Sequence, residues 1–176
     1  MRNRLSVIHI FALSVALAGL SSRAYAQASP APAAPAAAAP SAPVTADGES
    51  PGTQVQVKEL KRVGGDSLML ELVIVNNSDS AYDLSALTGS QYRSADGIYL
   101  VDITGKKKYE VVRDSNKSCL CSLNLMSLSA KSSANVWAKF PAPPDSVQKI
   151  GIVVPKFMPM DDVPISTVKA GQKVHQ

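Results

Sequence analysis

Residues 67–76 read Ser-Leu-Met-Leu-Glu-Leu-Val-Ile-Val-Asn, and this stretch constrains the fold more than any other. Side chains of an extended chain alternate between two faces, so Leu68, Leu70, Leu72 and Ile74 share one face. Met69, Glu71, Val73 and Val75 share the other. Both faces are mostly apolar, which predicts a central strand flanked on both edges. The neighbouring sequence supplies partners. Val55 and Val57 alternate with Gln54, Gln56 and Lys58, and Asn76-Asn77-Ser78-Asp79-Ser80 reads as a turn. A connector through Leu84, Leu87 and Tyr92 has room for a helical turn. Ile98–Ile103 and Tyr109–Arg113 flank Thr104-Gly105-Lys106-Lys107, a hairpin in which glycine is expected to supply positive φ. Ala134–Phe140 alternates again, Pro141–Pro144 breaks the ladder, Lys149–Val154 is a further strand, and Val163–Ile165 a last short one.

About seven short strands over about 115 residues, without a convincing amphipathic helix, predict an all-β fold. The expected form is an antiparallel β-sandwich of immunoglobulin-like type over residues 53–168, with a small barrel as the alternative. A domain of this size buries an adequate core without disulfides.

The N-terminus reads as an export signal, residues 1–26. Arg2 and Arg4 precede an apolar run from Leu5 to Leu20, and Ala24-Tyr25-Ala26 forms a small-x-small cleavage site. The run is short for a membrane span. Leu20 stands where a lipoprotein signal requires cysteine, so no lipid anchor is expected. Removal of Arg2, Arg4 and Arg23 leaves 15 Lys+Arg from 18, against 14 Asp+Glu, so the net charge falls from +4 to about +1. That balance gives no argument for nucleic acid. Residues 27–47 hold ten Ala and five Pro, and the prolines interrupt every potential helical turn. Residues 27–52 are accordingly expected to be a disordered Pro/Ala-rich tether, its 27–47 stretch reaching at most about 65 Å at ~3.1 Å per residue. Residues 169–176 are expected to be a flexible tail.

Candidate chemistry is sparse. The two histidines are His9, in the signal, and His175, beside the C-terminus, so a serine triad or a histidine general base has no well-placed imidazole. No phosphate-cradling glycine motif or nucleophile elbow is present. Asp161-Asp162 reads as a loop rather than a working carboxylate pair or a calcium site. Neither catalysis nor a cofactor is expected.

Cys119-Leu120-Cys121 is the sharpest feature, and three readings of it stay open. A local disulfide suits an oxidising compartment, but an extended chain spaces the two Cα atoms by roughly 6.6–6.8 Å, so the bond requires a bend. Alternatively the thiolates bind a soft ion such as Cu(I), with Met126 as a further ligand and Met158 and Met160 as suitable neighbours. The third reading is thiol exchange or an intermolecular bond. Trp137, the single tryptophan, falls on the polar side of its strand with Asn135 and Lys139. There it either anchors a partner or packs beneath Pro141–Pro144 or the connector, the more ordinary use of a tryptophan. Lys106-Lys107-Lys108 reads as a solvated hairpin tip, with anionic envelope polymers as the functional alternative.

Several segments together resemble a known family: Tyr99-Leu-Val-Asp102, Lys107–Asp114, Cys119-Leu-Cys-Ser122, Ala138-Lys-Phe-Pro-Ala-Pro-Pro144, Pro155-Lys-Phe157 and Asp162–Ile165. They resemble a poorly characterised group of exported bacterial immunoglobulin-like modules, often found N-terminal to an outer-membrane-protein-A-like peptidoglycan-binding domain. The resemblance spans about residues 53–166 and implies a sandwich in the cell envelope, with no activity or binding residues to carry over. The chain ends eleven residues after Ile165, so that second domain is not expected in it.

The functional expectation is a non-catalytic periplasmic or secreted module that binds an envelope protein or cell-wall component, by a sheet edge or the Trp137 face. A thiol-redox or copper-binding protein working through Cys119 and Cys121 is the alternative. Intact mass of the exported protein checks the first step: a chain beginning at Gln27 is expected, and retention of Met1–Ala26 would overturn the signal reading.

Overall fold

The computed structural model describes residues 43–64 and 66–167. The expected signal, the tether through residue 42 and the expected tail lie outside the described residues.

Three strands carry most of the first sheet: β2 (Thr53–Val63), β3 (Ser67–Asn76) and β8 (Ser132–Pro141), with the short β1 (Thr45–Asp47) on its edge. The second sheet contains β5 (Tyr99–Asp102), β6 (Lys107–Glu110), β9 (Lys149–Val153) and β10 (Met160–Pro164). A two-residue pair, β4 (Tyr82–Asp83) with β7 (Ser127–Leu128), completes the fold. The strand orders are β1-β2-β3-β8 and β10-β9-β5-β6, antiparallel throughout. With β2, β3, β5, β6, β8, β9 and β10 as A, B, C, C′, E, F and G, these are the A-B-E and G-F-C-C′ sheets of an immunoglobulin-like sandwich. Neither sheet closes on itself, which settles the choice against a barrel.

β3 is central, as its two apolar faces predict, paired to β2 on one edge and β8 on the other. Leu68, Leu70, Leu72 and Ile74 are buried, together with Val136, Ala138 and Phe140 of β8 and Leu100, Ile150 and Ile152 of the second sheet. These residues form one continuous core.

Two bulges explain where simple alternation fails. In β2, Val55 and Val57 point inward, and the next inward residue is Leu60, three positions on. A register shift between Val57 and Glu59 absorbs the extra residue and keeps both halves of the strand on the core. In β10, Met160 and Val163 are both buried, and a shift between them throws Asp161 and Asp162 outward, with Asp162 at φ 55°. This is why Val163–Ile165 marks only the end of that strand in the sequence. The loop reading of the adjacent carboxylates becomes, in the structure, an exposed bulge.

Three further expectations are corrected. The tether expected through residue 52 ends earlier, since Thr45–Asp47 pairs in register with Gln54–Gln56. Three residues among alanines carry too little periodicity to register as a strand. In the β5–β6 hairpin, positive φ belongs to Lys106 (52°), not Gly105. The Gly105 N–H donates to Asp102 Oδ1 at 2.8 Å, and a Cβ at this position would crowd the Asp102 carboxylate. The second strand of that hairpin is Lys107–Glu110, two residues earlier than the apolar pattern places it. The connector's helical turn is Leu84–Leu87, a 3₁₀ turn capped by Asp83, with Leu84 and Leu87 buried.

Asp96 ties the loops of this end together. Its carboxylate accepts from the amides of Gly89 (2.6 Å), Ser90 (3.0 Å) and Gln91 (2.8 Å), and from Ser94 Oγ (2.9 Å). Arg113 Nη2 completes the shell at 2.5 Å, and the Asp96 side chain is wholly out of water. Burial opposes ionisation, but the Gly89 amide, Arg113, the Gln91 amide and Ser94 outweigh it and hold the carboxyl at about 2. A carboxyl depressed from 3.8 to about 2 contributes about 2 kcal/mol of stability above pH 4, lost as pH falls through 2. Asp96→Asn is therefore expected to lower unfolding free energy by about 2–4 kcal/mol at neutral pH. It should also flatten the stability profile between about pH 4 and 2. Denaturant unfolding at several pH values checks both, and a variant within 0.5 kcal/mol of wild type would overturn this role.

Candidate functional site on the outer face of the first sheet

β8 runs with Val136, Ala138 and Phe140 inward, which sends Asn135, Trp137 and Lys139 to the outer face. Register fixes their neighbours. Trp137 stands opposite Glu71, and Glu71 opposite Glu59; Lys139 stands opposite Met69, and Met69 opposite Lys61; Asn135 stands opposite Val73. Trp137 is 41% exposed, so it does not take the ordinary course of packing beneath Pro141–Pro144. That proline segment is engaged elsewhere: the carbonyls of Pro143 and Pro144 accept from Arg62 at 2.9 and 3.0 Å.

Around Trp137 the face is hollowed into a shallow trough of about 550 Å³ with a mainly apolar surface, contributed by Val63, Met69 and Trp137 among others. Its charges are arranged unequally. Lys61 lies between two carboxylates, 2.6 Å from Glu59 and 3.5 Å from Glu71. The hydrogen bond to Glu59, with smaller help from both charges, raises the Lys61 pKa above its ordinary value although partial desolvation opposes it. Lys58 reaches Asn135 Oδ1 at 3.5 Å and pairs with no carboxylate among the described residues; Lys139 likewise has no such partner there.

The cysteine segment runs beside β8. Cys119 and Cys121 are joined by a disulfide with Cα atoms 5.3 Å apart, so the chain bends there as the short spacing requires. Both are buried in the core, while Leu120 and Ser122 lie against β8. The amide of Ser122 donates to the Trp137 carbonyl, the amide of Lys139 donates to the Leu120 carbonyl, both at 2.9 Å, and the amide of Trp137 donates to Ser122 Oγ at 2.9 Å. The Cys-Leu-Cys-Ser segment thus acts as one more strand beside Trp137. Sequence inspection singled out the two features separately; only the long-range pairing of Cys121 with Ala138 joins them.

The copper reading finds less support in the geometry. The two sulfurs are bonded to each other and both cysteines are buried, whereas Met126 is 55% exposed. Met158 is exposed and Met160 buried. Among the described residues no group of three or more His, Cys, Asp or Glu side chains could hold a metal ion. Both histidines lie outside them. The lysine tip is partly engaged: Lys108 sits over the Tyr99 ring at 4.4 Å and 3.0 Å from Glu110.

The fold and the disulfide define an all-β, disulfide-linked sandwich, a bond suited to an oxidising compartment. No helix among the described residues is long and apolar enough to cross a membrane. No family model matches the chain, and no solved structure matches it. It is similar to human terminal nucleotidyltransferase 5D, 30% identical over 83 residues, covering 44% of this chain and 21% of that protein. The chain spans about a fifth of that relative's length, a stretch too small to carry its activity across.

The disulfide closes a ring of only three residues, so replacing both cysteines by alanine is expected to cost about 1–2 kcal/mol. Because backbone hydrogen bonds independently hold Leu120 and Ser122 to β8, Trp137 emission should keep its native position. A large red shift in a still-folded double variant would make the disulfide the main support of the trough.

Proposed function

We propose that this chain is a non-catalytic, exported cell-envelope β-sandwich that binds an envelope protein or cell-wall component through the outer face of β2, β3 and β8. One observation carries the reading: the chain's single tryptophan stands exposed in a mainly apolar trough on the outer face of the first sheet. Exposed aromatics cost solvation and are over-represented where a partner will cover them. Val63 and Met69 extend the apolar surface beside it, and Lys61 offsets one of the two neighbouring carboxylates, Glu59 and Glu71.

Export is supported by the leader-like N-terminus and the disulfide. The non-catalytic reading is supported by the lack of a well-placed imidazole in the sequence and by the buried, bonded state of the two cysteines. Strand addition is less favoured at this place, since the β8 edge beside Trp137 is already hydrogen-bonded to Leu120 and Ser122.

The test is retention of the mature protein by envelope fractions, compared with Trp137→Ser and Met69→Ser. Both variants are expected to lose about tenfold or more in retention, while Leu123→Ser, an exposed apolar residue on a different segment, behaves as wild type. Equal retention of all four proteins would overturn the assignment of this face.

A further inference from the structure

The outer face holds one combination of groups that the binding reading leaves without a ligand class. Along β8, Asn135, Trp137 and Lys139 follow one another on the same side, spaced by about 6.8 Å. At one end Lys139 is without a carboxylate among the described residues. At the other, Lys58 reaches the side-chain oxygen of Asn135, also without one. The row therefore reads cation, indole, cation, above a floor where Lys61 offsets one of the two carboxylates Glu59 and Glu71; with the three lysines Lys58, Lys61 and Lys139 against those two glutamates, the face carries a net charge of +1.

We infer that this face binds an acidic saccharide, with a pyranose ring on the Trp137 indole and the sugar's carboxylates met by Lys139 and Lys58. The inference rests on the reading that the Trp137 face is a binding surface, and specifies what it binds. A flat, half-exposed indole offers an apolar plate to the C–H face of a pyranose, whose hydroxyl edges stay in water or reach side chains. Asn135 supplies both a donor and an acceptor, and Glu71, opposite Trp137, an acceptor. Charge selects among saccharides. Two ammonium groups without a carboxylate partner among the described residues bracket the ring and complement carboxylates, and with Lys61 the lysines of the face outnumber its two glutamates.

An acidic peptide fits less well. An extended peptide needs partners for its backbone amides and carbonyls, which sheet edges supply. Here the Trp137 carbonyl and the Lys139 amide are already bonded to Ser122 and Leu120, and the face offers side chains only. A saccharide has no backbone to satisfy.

The single tryptophan makes the test direct, because all indole emission of the mature chain reports on this trough. The probes are tetragalacturonate and a hyaluronan tetrasaccharide, neutral cellotetraose, and hexaglutamate as an acidic chain without sugar rings. The expected result is a saturable blue shift with an acidic tetrasaccharide, about tenfold weaker binding of cellotetraose, and no shift with hexaglutamate. Lys139→Glu and Lys58→Glu should each weaken the acidic tetrasaccharide about tenfold and leave cellotetraose unchanged. Both residues lie at the surface of the sheet, and far-ultraviolet circular dichroism establishes that the variants fold. Hexaglutamate binding as well as the acidic sugars would overturn the saccharide class while the binding face stands. Silence of all four probes, with Trp137-dependent retention by envelope fractions intact, would likewise overturn the saccharide and keep the face. Loss of that retention as well would remove both.

Discussion

The inner face of β3 is the constraint on which the rest of the structure depends. Leu68, Leu70, Leu72 and Ile74 are almost wholly out of water, and each contributes about 1.5–3 kcal/mol on burial. To bury them, a second sheet must lie opposite, and β2 and β8 must cover the two edges of β3. Once β8 is held in that register, alternation leaves no freedom at Trp137. Its neighbours Val136 and Ala138 are inward, so the indole must be outward. The exposed tryptophan follows from the core, and its exposure is the cost of a register that the core sets.

The loops around the site are held by polar rather than apolar contacts. Asp96 gathers the Gly89–Gln91 amides and Arg113, and the side-chain oxygen of Gln91 accepts from the Cys119 amide at 2.8 Å. A continuous chain of hydrogen bonds thus runs from a buried carboxylate to the disulfide segment and on to the Trp137 backbone. This gives the cysteine pair a structural place without requiring it to be reactive. It also explains why a disulfide spanning so short a loop need not be a main source of stability.

Charge on the outer face is divided in a way that suits recognition. Lys61 is shared by two glutamates, whereas Lys58 and Lys139 have no carboxylate partner among the described residues. On the proposed binding reading, an apolar plate bracketed by cations would orient a ligand as well as hold it, without a deep pocket.

Much of the sandwich was legible in the sequence, because period-2 alternation maps directly onto strand faces. The central strand, the outward set of Asn135, Trp137 and Lys139, and the inward set of Val136, Ala138 and Phe140 all follow from local order alone. Alternation failed where the chain inserts an extra residue. The bulges at Val57/Glu59 and between Met160 and Val163 shift the phase, and β1 is too short to show one. What only the tertiary structure decided is which distant segments meet. Cys121 lies against Ala138, Arg113 reaches Asp96, and Lys61 of β2 comes within reach of Glu71 of β3. Local patterning sets the direction in which a side chain points; long-range strand pairing sets what it finds there, and the proposed binding face depends on both.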